Sequence, residues 1–128
     1  MAASPAFATI PRIGAVQLSV ANTNRNGTTG TYGTLISAGN GGTRIAEIAV
    51  QATGITTAGM VRLFTNDGTN IRMFDEISVA AVASPGASTK ATRISTTYTN
   101  LTIPSGWSII ASTHNGEVIN VFALGADL

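Results

Sequence analysis

The residue types that most often carry enzyme chemistry are scarce in this chain. It contains one histidine, six Asp and Glu residues together, and no cysteine. A Ser-His-acid triad would have to use His114, which stands directly before an Asn-Gly pair whose role in a turn already explains it. Structural zinc needs three or four His, Cys or carboxylate ligands, which one histidine without cysteine cannot supply in a usual set. The inventory predicts a protein that is not an enzyme and holds no metal or cofactor.

Paired carboxylates and phosphate-binding loops are missing as well. Asp75 and Glu76 are adjacent on a predicted strand, so their side chains point to opposite faces and not across one cleft. The glycine-rich stretch 39–42 lacks the Lys-Ser/Thr of a phosphate loop, and we interpret it as a hairpin connection. No small-molecule substrate is therefore expected.

Charge is low and balanced over the 128 residues. Charged residues make up 10% of the chain and the net charge is +1, whereas ordinary soluble domains are about 25% charged. Binding to nucleic acid or anionic lipid depends on clustered cations, so neither nucleic acid nor a membrane is an expected partner. No apolar run reaches membrane-spanning length, and the first residues lack the pattern of a secretory signal. The surface must instead consist of neutral polar and apolar groups, which protect poorly against association.

The elements that would position these residues are strands. Short runs with apolar residues at every second position, rich in Val, Ile, Thr, Tyr and Phe, are separated by Gly, Asn, Ser and Pro clusters. The runs cover residues 14–20, 32–37, 43–52, 59–65, 70–83, 91–103, 107–113 and 117–124. They predict a single all-β domain over residues 14–128, a jelly-roll-like β-sandwich of about eight antiparallel strands. Residues 1–13 contain Pro5 and Pro11 without clean alternation, and we predict that they form an extended arm.

Two turns predict hairpins. Asn115-Gly116 suits a type I′ turn that pairs His114 with Glu117 and joins the last two strands. Those strands keep aliphatic residues on both faces, so the pair is either central to a two-layer fold or covered by another chain. The stretch 66–68, Asn-Asp-Gly, suits a type I turn that ends in a left-handed glycine.

The second hairpin predicts a candidate protein interface. In the expected register Arg62, Phe64, Arg72 and Phe74 share one face, and the two arginines lie nearly opposite each other. That face is either a protein-binding patch that meets acidic groups or a solvated outer surface. Together with the arm, the predicted interface residues are Pro5, Phe7, Pro11, Arg12, Arg62, Phe64, Arg72 and Phe74.

Several segments carry a family resemblance. They are residues 11–19 (PRIGAVQLS), 21–28 (ANTNRNGT), 101–108 (LTIPSGWS), 120–123 (NVFA) and 125–127 (GAD). With these segments the chain resembles, nearly end to end, small virion proteins of tailed bacteriophages of the capsid decoration (cement) type. The resemblance implies a homo-oligomeric β-sandwich that is made in the host cytoplasm and binds the major capsid protein lattice on the outside of the virion.

Two alternatives remain open beside capsid decoration. One is a tail or baseplate component. The other is a carbohydrate-binding module of a virion adhesin, in which Trp107 would stack on a sugar and would not plug the core.

Overall fold

The computed structural model describes residues 10–128, which form eight strands and no helix. The strands are β1 (Ile10–Leu18), β2 (Gly33–Ser37), β3 (Thr43–Ala52), β4 (Gly59–Asn66), β5 (Ile71–Val79), β6 (Arg93–Ile103), β7 (Ser108–Thr113) and β8 (Ile119–Asp127). All strand pairings within the sheets are antiparallel. The predicted all-β fold of about eight antiparallel strands in a sandwich is confirmed.

The strands form two four-stranded sheets. Sheet A has the order β1-β8-β3-β6 and sheet B the order β2-β7-β4-β5. Each strand pairs with its mirror partner along the chain: the first with the last, the second with the seventh, the third with the sixth and the fourth with the fifth. The chain is therefore a long hairpin of four nested pairs, folded over so that sheet A packs on sheet B.

The core lies between the two sheets and is built by alternation along the strands. Its fully buried members include Ile45, Ile48, Val50, Val61, Leu63, Ile109, Ala111, Ile119, Val121 and Ala123. A β-bulge between Ile45 and Glu47 shifts the alternation of β3 by one residue. Ile45 and Ile48, three positions apart, can therefore both point into the core.

The predicted type I′ hairpin at Asn115-Gly116 is wrong. Strand β7 belongs to sheet B and β8 to sheet A, so residues 114–118 cross from one sheet to the other. Neither Asn115 nor Gly116 has the positive φ that such a turn requires. The Asn115 amide instead donates to the Thr57 hydroxyl and the Ala58 carbonyl at 3.0 and 3.1 Å. Its role is to tie two interstrand loops together at one end of the sandwich.

The predicted boundary between the arm and the sandwich, after residue 13, also differs from the structure. Strand β1 begins at Ile10, and Pro11 and Arg12 pair with Ala126 and Gly125 of β8, so residues 10–13 belong to the sandwich. Pro11 is tolerated because β1 is an edge strand, where a missing N–H leaves no partner unsatisfied on the open side. The predicted arm residues Pro5 and Phe7 lie outside the described residues.

Within residues 10–128, no helix is long and apolar enough to cross a membrane.

Candidate interaction surfaces

The outer face of sheet B is covered by the chain itself. Phe64 and Ile110 are buried although they point away from the core between the sheets. The ring of Tyr32 packs edge-on against Phe64 with 5.2 Å between centroids. Asn22 lies in the same connection between β1 and β2, and its backbone N–H donates to the Thr113 carbonyl at 2.8 Å. Residues 19–32 therefore close this face with a loop.

Arg62 is buried beneath that loop and has partners within the chain. Only 4% of the residue is exposed, and its Nε donates to Glu76 Oε2 at 3.0 Å. One terminal nitrogen donates to the Asn22 carbonyl at 3.4 Å, and the other lies 3.2 Å from His114 Nδ1. Glu76 also accepts a hydrogen bond from Arg25 at 2.5 Å. The acidic partner that the sequence predicted in another protein is therefore present on β5 of the same chain.

The predicted register of this hairpin is wrong. The turn itself forms, with Gly68 at φ 93°. However, Asn66 pairs with Ile71, so Arg72 faces Thr65 and not Arg62. A bulge between Leu63 and Phe64 then shifts the pairing by one residue and places Glu76 opposite Arg62. The sequence carries no clear signal for this bulge.

The four residues predicted to share the β4–β5 face are therefore separated. Arg62 and Phe64 are buried, Arg72 is exposed, and Phe74 packs against the core and the ring of Tyr98. They do not form one exposed interface in the described chain.

The outer face of sheet A is different, because no segment of residues 10–128 closes it as residues 19–32 close sheet B. The strand register places sixteen outward positions in four rows that run across β1, β8, β3 and β6. In order, the rows are Pro11-Ala126-Arg44-Thr102, Ile13-Leu124-Glu47-Thr97, Ala15-Phe122-Ala49-Ser95 and Gln17-Asn120-Gln51-Arg93. The β1 and β8 half of this face is apolar in three of its four rows.

We call the three apolar rows of this half the sheet A patch. Its residues are Pro11, Ile13, Ala15, Phe122, Leu124 and Ala126. Ile13 is 70% exposed, and the three β8 residues are partly exposed. Two shallow depressions of about 370 and 300 Å³ lie along the patch, one beside Leu124 and the other beside Phe122. A row of Gln and Asn side chains, joined by a 3.0 Å hydrogen bond from Gln17 to Asn120, borders one end. An apolar centre with a polar border is the usual composition of a protein interface.

Arg12, predicted as an interface residue, anchors the edge strand β1 in this structure. Its guanidinium donates to both carboxylate oxygens of Asp127 at 2.9 and 3.1 Å and to the Ser37 carbonyl at 2.9 Å. The Thr43 hydroxyl donates to the same carboxylate at 2.6 Å. The hydrogen bond from Thr43, followed by that from Arg12 and its charge, holds the pKa of Asp127 below its ordinary value. These contacts fix β1, and with it half of the sheet A patch.

The described residues contain no cluster of three or more His, Cys, Asp or Glu side chains that could hold a metal ion. Trp107 is partly buried and packs against the core, and its backbone N–H closes a turn onto the Pro104 carbonyl at 3.1 Å. These contacts are more typical of a side chain that fills the core than of an exposed ring on which a sugar could stack.

Of the sheet A patch, only Pro11 is among the residues predicted from the sequence. The alternation of Asn120, Phe122, Leu124 and Ala126 is a local signal, but the Asn-Gly turn predicts β7 as the partner of β8, whereas β8 pairs with β1 and β3. Comparison with protein-family models and with curated proteins gives no match.

Proposed function

We propose that the protein is a non-catalytic structural subunit of a tailed-bacteriophage virion, of the capsid decoration type, and that its sheet A patch is buried against the same patch of a second copy. The observation that carries the proposal is the asymmetry between the two outer faces. Within residues 10–128, a loop covers the outer face of sheet B, whereas the outer face of sheet A exposes an apolar patch. Exposed apolar patches of this kind mark interaction sites.

Charge complementarity supports a second copy as the occupant. Glu47 stands in the same row as Ile13, and Arg44 and Arg93 lie in the rows at the two ends of the same face. Within residues 10–128, Glu47 and Arg93 form no salt bridge. A twofold axis that places one patch on the other reverses the order of the rows, so Glu47 in the second row of one copy lies next to the row that holds Arg93 of the other copy. A single surface thus supplies both signs of charge.

The size of the face indicates a weak pair. Strands of nine residues are about 30 Å long, and four strands span about 15–20 Å, so the flat footprint is about 500 Å². Stable interfaces bury about 800 Å² per partner. A pair held by this face alone is therefore weak, and binding of many copies to one lattice would strengthen the attachment through avidity.

The strand order agrees with the proposed class. We propose that the nested pairing of the first strand with the last, and so on inward, makes this sandwich an eight-stranded jelly roll, an architecture found in viral capsid proteins and lectins. Fold likeness alone does not specify function. The strand order supports the virion proposal only together with the low charge and the segments that resemble phage decoration proteins.

The test is to locate the protein on purified particles of the phage that encodes it, by cryo-electron microscopy with an antibody label. The proposal expects label on the outside of the head in regular array. Label confined to the tail would replace capsid decoration with the tail alternative. Particles without the protein would overturn the virion proposal.

A further inference from the structure

A second surface feature lies at the end of the sandwich where the long loops meet, away from the sheet A patch. It is a depression of about 470 Å³, which we call the Arg25 pocket. Its lining residues are Arg25, Ala58, Gly59, Met60, Arg62, Ser78, Val79 and His114. The pocket has a floor of small and apolar side chains and a wall of nitrogen-bearing side chains.

The wall carries more positive charge than its single carboxylate neutralises. Glu76 bridges Arg25 and Arg62, so two guanidinium groups share one negative charge. The side chain of Arg25 is 56% exposed, and Glu76 is its only hydrogen-bond partner among the described residues. Arg62 uses three of its five N–H groups on Glu76, Asn22 and His114. Both guanidiniums therefore retain donors for a further acceptor.

His114 adds another donor to the same wall. An arginine side chain has no acceptor, so the contact between Arg62 and His114 requires Nδ1 to be the acceptor. The neutral ring then carries its proton on Nε2, which has no hydrogen-bond partner among residues 10–128. An acceptor that enters the pocket would meet N–H groups from three side chains.

We propose that the Arg25 pocket binds the carboxylate of an Asp or Glu side chain of a partner protein. The carboxylate would accept hydrogen bonds from Arg25 and His114, while its short methylene stem would lie on Ala58 and Met60. Planar guanidinium groups match carboxylates in geometry, and hydrogen bonds between charged groups are stronger than those between neutral ones. This inference rests on the proposed function for the partner's identity, which would be the capsid protein. The pocket lies on the sheet B side, so it stays open when two sheet A patches meet.

The proposal is tested by comparing how well a pocket variant and a matched control variant bind to particles. Arg25→Gln removes one charge from the pocket, and Arg72→Gln removes one charge from an exposed position on β5 of the same sheet. We expect Arg25→Gln to weaken binding to particles lacking the protein by about tenfold or more and to reduce its dependence on salt. Arg72→Gln should bind like the wild type. Equal loss in both variants, or wild-type binding by Arg25→Gln, would refute the inference. Urea midpoints of both variants show whether either change acts through folding.

A titration without particles separates this inference from the proposed function. N-acetyl-glutamate amide, N-acetyl-glutamine amide and inorganic phosphate are added at equal ionic strength while the NMR signals of the Arg25 guanidinium and the His114 ring are followed. We expect saturable shifts with the glutamate compound only. A response to phosphate without one to glutamate, or equal responses to glutamate and glutamine, would contradict a carboxylate site. If glutamate binds but particles do not bind the protein, the pocket stands and the virion proposal fails.

Discussion

Substitution of Ile13 by Thr tests the sheet A patch with little disturbance of the strand. Both residues are β-branched and suit a β-strand, so the change chiefly removes apolar surface. Complete burial of an isoleucine side chain contributes about 1.5–3 kcal/mol. Since Ile13 is 70% exposed in the single chain, burial of its exposed part gives about 1–2 kcal/mol. A twofold interface buries both copies, so the loss is about 2–4 kcal/mol and the dissociation constant rises about 30- to 700-fold.

Sedimentation equilibrium over a concentration series measures this constant for the wild type and the variant. Ile55→Thr is the matched control, because Ile55 is 63% exposed and lies between β3 and β4, outside the patch. Its dissociation constant should equal that of the wild type. Urea unfolding at low concentration should show equal stability for all three proteins, because both side chains face solvent in the single chain. If Ile13→Thr and Ile55→Thr associate equally well, the patch is not the interface.

Three further changes test how the fold holds its polar groups. Arg62→Met leaves Glu76 without its buried partner, so urea unfolding should show a loss of about 3 kcal/mol. Tyr98→Phe removes a 2.6 Å hydrogen bond to Asp75 between the edges of the two sheets and should cost about 1 kcal/mol at pH 7. Burial of Tyr98, followed by its hydrogen bond to Asp75, raises the pKa of Tyr98. The wild type should therefore lose stability as the pH rises above 10.0, and Tyr98→Phe should lack this part of the loss. The pKa of Asp127 is lowered, so the wild type should lose stability as the pH drops below 3.8. Asp127→Asn should lack this acid-dependent loss.

Each of these three expectations has an outcome that would contradict it. Arg72→Met is the control for Arg62→Met and should change stability by less than about 0.5 kcal/mol, so equal losses would mean that the buried ion pair is unimportant. Alkaline unfolding of Tyr98→Phe that parallels the wild type would show that the Tyr98 phenol is not the alkali-sensitive group. Acid unfolding of Asp127→Asn that parallels the wild type would place the acid-sensitive group elsewhere.

Strand content was predictable because alternation of apolar residues is a local signal. The strand over residues 43–52 was predicted with the bounds that the structure shows, and Gly68 takes the expected left-handed conformation. The pairing of strands was not local. Asn115-Gly116 favours a hairpin when read alone, but β8 finds partners on both sides, in β1 and β3, and its inward residues fill the core. Contacts distant in sequence overrode the preference of one turn.

The candidate surfaces depended on that same long-range pairing. The charge partner of Arg62 could not be identified because the turn places Arg72 opposite Thr65 and a bulge then places Glu76 opposite Arg62. The sheet A patch joins residues from the two ends of the chain, and only the pairing of β1 with β8 brings Ile13 beside Leu124. Low charge nevertheless predicted correctly that apolar groups would lie on the surface, as Ile13 and Ile55 do.

The most direct test of the account is a high-resolution cryo-electron microscopy map of the protein bound to its particle. The account predicts density on the outside of the head in which two copies meet through β1 and β8, with Ile13 and Phe122 buried between them. A bound copy whose sheet A face lies open to solvent, or density in which some other surface joins the copies, would contradict it.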